Sequence, residues 1–278
     1  MTGLILLLAL LMPAPLLPAS PLATSGSSDL TELLRDTLRQ QKKLDILRRD
    51  YTFNEKQEED VLDNKGNVKQ HKFAEYDVTY VGQQRIRRLI SREGKPLSEP
   101  EQRQELAHIE KEVKKAQSKD EKDPDADDDA EAVMNSFLCI MRLTNPRHGQ
   151  LNGRAVTICN FERDPAAKPK RMEEKVMQKV SGTIWIDEAT HSIVRFEGRL
   201  DQGFRVGGGI LGSLHEGSNF SLEQVRVNDE IWFPSVATLH LEARVVFSGI
   251  RKNVTLRNSN FQRFHINTSS VVSPPAAH

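Results

Sequence analysis

From Val236 to Phe247 the chain alternates: Ala237, Leu239, Leu241, Ala243, Val245 and Phe247 are apolar, and Thr238, His240, Glu242 and Arg244 between them are polar. Side chains on a strand point to opposite faces in turn, so this pattern specifies a long antiparallel strand with one dry face and one wet face. Such a strand is not stable alone. It requires a sheet around it and a cover for its dry face.

The rest of the chain supplies the sheet. Tyr76, Val78 and Tyr80 alternate with Asp77 and Thr79, Ile86 and Ile90 follow Gly82, and Asp63-Asn64-Lys65-Gly66-Asn67 marks a turn between two earlier strands. Phe137 to Leu143 and Arg154 to Glu162 flank a turn containing Pro146, Gly149, Asn152 and Gly153. Thr183 to Asp187 and Ser192 to Leu200 flank Glu188-Ala189-Thr190-His191, and further runs are Phe220 to Val227, Ile231 to Phe233 and Asn253 to Phe264. About ten strands in a meander are expected, a mainly β (α+β) fold. Helical spacing is confined to two places. Asp29 is placed to cap a helix with Leu30, Leu33, Leu34 and Leu38 on one stripe, and Glu101 to Lys119 is rich in helix formers within the polar stretch 96–132. The expected architecture is an antiparallel curved sheet forming an incomplete β-barrel with helices over its concave face. An apolar mouth is where barrel proteins hold hydrophobic ligands. The domain is expected over 29–267, with the charged helical and acidic insertion at 96–132 and a disordered tail at 268–278.

The segment 1–23 reads as a signal peptide. Leu4 to Leu11 has the length of an export-signal core, then Pro13, Pro15 and Pro18 interrupt it before the small residues from Ala19 to Ser28, with cleavage expected near Ala19 or Ala23. It is too short for a spanning helix, which needs about 20 apolar residues. The mature protein is therefore expected to be soluble in the periplasm.

Charge and motif content narrow the function. Lys+Arg 39 equals Asp+Glu 39, and with a pI near 7.1 there is no basic footprint for a nucleic-acid partner. Arg35, Arg39, Lys42, Lys43, Arg48 and Arg49 on the first helix read as a solvated face. Asp123, Asp125, Asp127, Asp128 and Asp129 lack the glycine and the spaced glutamate of a calcium loop, so the acidic run reads as solvated. The eight histidines are scattered without metal-ligand spacing. Gly207-Gly208-Gly209 is not followed by the Lys-Ser/Thr of a phosphate loop, and no nucleophile elbow or zinc-protease pair occurs. No cofactor, no metal and no catalytic residue is expected.

The hairpin Ser181-Gly182-Thr183-Ile184-Trp185-Ile186-Asp187 with Ile193-Val194-Arg195-Phe196-Glu197, and the later Glu230-Ile231-Trp232-Phe233-Pro234, resemble the periplasmic outer-membrane lipoprotein-sorting and lipoprotein carrier proteins, best over residues 137–265. The resemblance implies a half-barrel with an apolar cavity for acyl chains. On this reading the chain is a non-enzymatic periplasmic protein that binds a lipid or acylated lipoprotein, with Trp185, Phe196, Phe204, Trp232, Leu241 and Phe247 in or near the cavity. Each of these residues also suits a plain core role. The alternatives are an envelope partner-binding or stress-sensing domain of the same fold, acting with membrane-associated envelope proteins, and a hydrolase with an unrecognised site.

Cys139 and Cys159 flank the Leu143 to Arg154 turn. Pairing symmetric about that turn sets the two cysteines opposite each other, at a spacing that admits a disulfide in an oxidising compartment. A one-residue slip would leave two small buried hydrophobes on opposite faces instead.

Overall fold

The computed structural model describes residues 27–122, 140–206, 212–246 and 248–264. The signal-peptide segment, the acidic run 123–131, Cys139, Gly207 to Gly209, Phe247 and the tail lie outside the described residues. The elements follow the chain as α1 (Ser27–Arg48), β1 (Tyr51–Leu62), β2 (Val68–Val81), β3 (Gln84–Arg92), β4 (Lys95–Pro96), α2 (Glu99–Lys122), β5 (Met141–Leu151), β6 (Arg154–Arg163), α3 (Met172–Met177), β7 (Val180–Asp187), β8 (Ile193–Leu200), β9 (Phe204–Val206), β10 (Gly212–Leu214), β11 (Asn219–Val227), β12 (Ile231–Val245) and β13 (Ser248–Arg263).

The strands form one curved, unclosed antiparallel sheet in the order β4-β3-β2-β1-β13-β12-β11-β8-β7-β6-β5, with β10 on β12 and β9 on β10. The two end strands, β4 and β5, do not pair with each other, so the half-barrel stays open. Three strands of two or three residues, β4, β9 and β10, are too short to leave a periodic signature. Ile231–Phe233 and the run from Val236, expected as separate strands, form one strand that ends at Val245. Pro234 is tolerated because β12 pairs with β13 only from Val236 onward, so its missing N–H breaks no bond on that side. On the other side a bulge between Glu223 and Gln224 absorbs the bend.

The β5–β6 hairpin corrects the expected register. The pairs are Leu143↔Phe161 and Leu151↔Arg154, so the turn is Asn152-Gly153 alone, both at positive φ, as a tight hairpin turn requires. Pro146 is no turn residue: it lies in a register shift between Thr144 and Arg147, on a strand that ends the sheet. The register that would set Cys139 opposite Cys159 is therefore not formed. Cys159 is buried, carries a free thiol and pairs on its other side with Ile184.

The two long helices arise where expected, although α1 begins at Ser27 and so holds Asp29 in its first turn rather than at its cap, and the short α3 was not expected. Ser98 begins α2: its N–H and Oγ both donate to the Glu101 carboxylate, at 2.8 and 2.6 Å, while its carbonyl accepts from Gln102 N–H. This helix lies against β2 and β3, whereas α1 contacts β5 and β12. Those two strands are five places apart, about 24 Å at the usual spacing, and α1's 22 residues make about 33 Å of helix. So α1 runs across the inner face and covers it, and its leucine stripe faces the sheet. No helix among the described residues is long and apolar enough to cross a membrane.

Candidate functional site

Alternation divides the apolar residues of β6, β7 and β8 between the two faces of the sheet. Cys159↔Ile184↔Phe196 share the inner face, and Ile158↔Trp185↔Arg195 share the other. A bulge at Val194 then lets Ile193 pair with Ile186 on the inner face, while Val194 joins Trp185 on the outer one. The inner cluster gathers Phe161, Ile184, Phe196, Leu239, Leu241 and Val254 under Leu30, Leu33, Leu34 and Leu38 of α1. Phe196 lies between two rings, 4.8 Å from Phe161 and 5.5 Å from Phe220.

The inner face is apolar over only part of its width. Across β1, Glu55↔Asn258, Gln57↔Leu256 and Glu59↔Val254 set Glu55, Gln57 and Glu59 on the same face as Leu256 and Val254. Glu55, 1% exposed, is paired with Arg85 and Arg87, and Glu59 accepts from Lys252 at 2.8 Å and Lys72 at 3.0 Å. Burial pushes the Glu59 carboxyl up, and the two lysines outweigh it and hold it below the usual range. The inner face is therefore apolar from β13 through β5 and charged from β1 to β3. The signal for this lay in Glu55-x-Gln57-x-Glu59, polar at three successive same-face positions.

The helix α1 packs through half-buried Leu30, Leu33, Leu34 and Leu38 at its start and through buried Leu44, beside Gln41 and Arg48, toward its end. Its last turn is anchored: Arg48 donates from Nε to the Trp232 carbonyl at 2.9 Å, from Nη2 to Gln224 Oε1 at 2.6 Å and from Nη1 to Asp45 at 2.6 Å. Gln224 in turn donates to the Ile193 carbonyl at 2.6 Å. Burial pushes the Asp45 carboxyl up, against the pull of Arg48. Asp36 meets His191 Nδ1 at 3.2 Å, and the Thr37 hydroxyl is fully buried with no hydrogen-bond partner among the described residues.

A second cluster joins Trp232 with Val156, Val194, Trp185 and Leu151 on the outer face, and reaches Phe233, Tyr51, Phe53 and Leu44 at the end of α1. Beside it is a groove of about 580 Å³, walled by Trp232, Val156, Val194, Val225 and Phe261 and rimmed by Arg154 and Arg226. A relay fixes the indole: its N–H donates to Thr190 Oγ1 at 3.3 Å, and Thr190 donates to Asp187, which accepts from Arg154 Nε at 2.6 Å and Nη2 at 3.0 Å. Arg154 also lies 5.5 Å from the indole centroid.

The six residues singled out in the sequence thus do not share one cavity. Phe196 and Leu241 are inner core, Trp232 lines the outer groove, Trp185 packs near it under Arg195, and Phe204 lines a different cavity at the sheet's edge. Phe247 lies outside the described residues. Among the described residues no cluster of three or more His, Cys, Asp or Glu side chains is placed to hold a metal ion. Ser213 Oγ lies 3.2 Å from His215 Nε2 on the exposed surface, with no carboxylate bonded to the other ring nitrogen among the described residues.

Comparison with solved structures finds likenesses at low identity. A LolA superfamily protein from Nitrosomonas europaea is 11% identical over 83% of this chain and 94% of its own, with a TM-score of 0.35. A DUF1329 family protein from Desulfovibrio piger is 10% identical over 86% of this chain and 95% of its own, at a TM-score of 0.34. The MucA/MucB complex of Pseudomonas aeruginosa gives 9% identity over 83% and 94%, at a TM-score of 0.23. No family model and no curated protein matches the chain.

Proposed function

We propose that this chain is a non-enzymatic periplasmic binding protein that holds an acyl chain, from a lipid or an acylated lipoprotein, against the inner apolar face of the half-barrel. The observation that carries the reading is the cover on that face. A single helix buries it through Leu30, Leu33, Leu34 and Leu38, is anchored at the far end by Arg48, and leaves a buried hydroxyl at Thr37 without a partner. The first half of α1 presents to the sheet what an acyl chain would present, at the cost of an unsatisfied polar group that an acyl chain lacks. Each methylene buried in its place contributes about 0.8 kcal/mol.

A fluorescent fatty-acid probe titrated into the protein tests this. Saturable binding near one probe per chain is expected, displaced by unlabelled fatty acid, and Leu34→Ser with Leu38→Ser should tighten it several-fold by loosening the cover. Absence of saturable binding in both proteins, or equal affinity in both, overturns the reading.

A further inference from the structure

A second cavity, of about 750 Å³, opens where α3 meets the starts of β7 and β9. Its charge is unbalanced. Arg142, Arg163, Lys175 and Lys179 line it, against Glu162 and Asp201. Both carboxylates are already engaged: Glu162 accepts from Arg142 Nε at 2.9 Å and Nη2 at 2.5 Å, and Asp201 accepts from Arg199, outside the lining, at 3.0 Å. Lys179 has a neutral partner, Gln202 Oε1 at 3.3 Å, and neither Arg163 nor Lys175 has an ion-pair partner among the described residues. Three cations therefore converge on one cavity with no anion left to neutralise them.

The size and walls limit what fits. The volume exceeds that of a bare inorganic anion and falls within the range of small-molecule sites. Val180, buried, and Phe204, half-buried, give the cavity an apolar wall, and both also belong to or pack against the apolar cluster beneath α1. A carboxylate has two coplanar oxygens, which one arginine fork satisfies. A phosphomonoester presents three oxygens and about two charges, the match for three cations lining one cavity.

We propose that this cavity binds the phosphate of a phosphomonoester between Arg163, Lys175 and Lys179, with the ester's less polar body against Phe204 and Val180. The phosphate site stands on the cavity itself. Where the ester is a phospholipid, its tail continues onto the inner face, and that extension alone rests on the acyl-chain reading.

The test uses the full chain and two kinds of probe at fixed ionic strength. Phenyl phosphate, followed by calorimetry, represents a soluble ester without an acyl chain, and phosphatidic acid vesicles, followed by flotation, represent a lipid headgroup. The double variant Lys175→Gln/Lys179→Gln should weaken whichever binds at least tenfold, whereas Lys168→Gln, outside the cavity, should leave it unchanged; thermal melts confirm that both variants fold. Phenyl phosphate binding that is lost in the double variant assigns a soluble ester. Vesicle binding alone, lost in the same way, assigns a headgroup. Binding of neither probe, binding indifferent to the double variant, or equal affinity for benzoate overturns the proposal. Failure with phenyl phosphate leaves the fatty-acid result untouched, so the two readings fail separately.

Discussion

Two buried residues show how environment sets chemistry at the smallest scale. Burial pushes the Cys159 thiol up to about 11, the nearby Arg147 charge opposing it too weakly to matter. With the thiolate suppressed about a hundredfold, the group is inert to thiol reagents at neutral pH. In a Cys139→Ser protein at pH 8, Ellman's reagent should label Cys159 only after denaturant is added, and rapid labelling of the native protein would contradict the burial described. Asp187 is the opposite case. Burial pushes its carboxyl up, but Arg154 and Thr190 outweigh that and hold it below the ordinary range. A depressed folded pKa means stability that is complete above the ordinary carboxylate value and is lost as pH falls through the folded one. Asp187→Asn should therefore cost about 2–3 kcal/mol at pH 7, and urea midpoints of variant and native protein should converge as the pH drops below that range. A gap that stays constant with pH would show the charge to be irrelevant.

Among the elements, the β7–β8 hairpin is the most constrained. Gly182 and Gly198 pair directly across it, beneath the ring of Phe161. A methyl group on Gly198 would come within 2.8 Å of the Phe220 ring and 3.0 Å of the Phe161 ring, and one on Gly182 within 1.9 Å of the Glu197 carbonyl oxygen. A ring turns aside more readily than backbone, so Gly198→Ala should cost about 1–3 kcal/mol and Gly182→Ala more. Chemical denaturation that ranks them the other way would refute this packing. Gly182 was legible in the sequence as part of the family-like hairpin, Gly198 lies one residue beyond that motif, and the strands around them were legible because alternation survives in a half-buried sheet. The β5–β6 register was not. Four turn-forming residues lie between Pro146 and Gly153, and nothing local says that the hairpin closes at Asn152-Gly153 while Pro146 sits on an edge. An edge strand tolerates a missing N–H that an interior strand does not, and a bulge there spoils the edge as a template for further pairing. The split of Trp185 from Phe196 is also invisible to a reader of alternation who assumes one buried face. It depends on the second cluster around Trp232, and the bulge at Val194 is seen only once the strands are paired.

At the scale of the molecule, the open sheet needs a cover, and the sequence supplied one candidate stripe of leucines in α1. What it did not show is that the end of the same helix is tied down by Arg48 to residues 176 and 184 positions away, a contact that only the curved sheet's topology brings together. The helix is thus a cover with one fixed end, and that arrangement makes ligand binding and stability interdependent. An acyl chain that takes the place of Leu30 to Leu38 must first displace them, so its apparent affinity is reduced by the fraction of molecules in which the first half of α1 is already off the sheet. A ligand that binds the folded state at a hundred times its dissociation constant stabilises it by about 2.7 kcal/mol, which for a sheet of this size is a rise of about 5–10 °C in Tm. Leu34→Ser should lower the unliganded Tm, because part of the cover's burial is lost, and should enlarge the rise given by a fixed fatty-acid concentration, because less has to be displaced. The two effects have opposite signs in one variant, which a general loss of packing does not produce. Thermal melts of both proteins with and without fatty acid therefore decide whether α1 competes with the ligand: a smaller rise in the variant would mean that α1 is part of the binding site rather than its occupant.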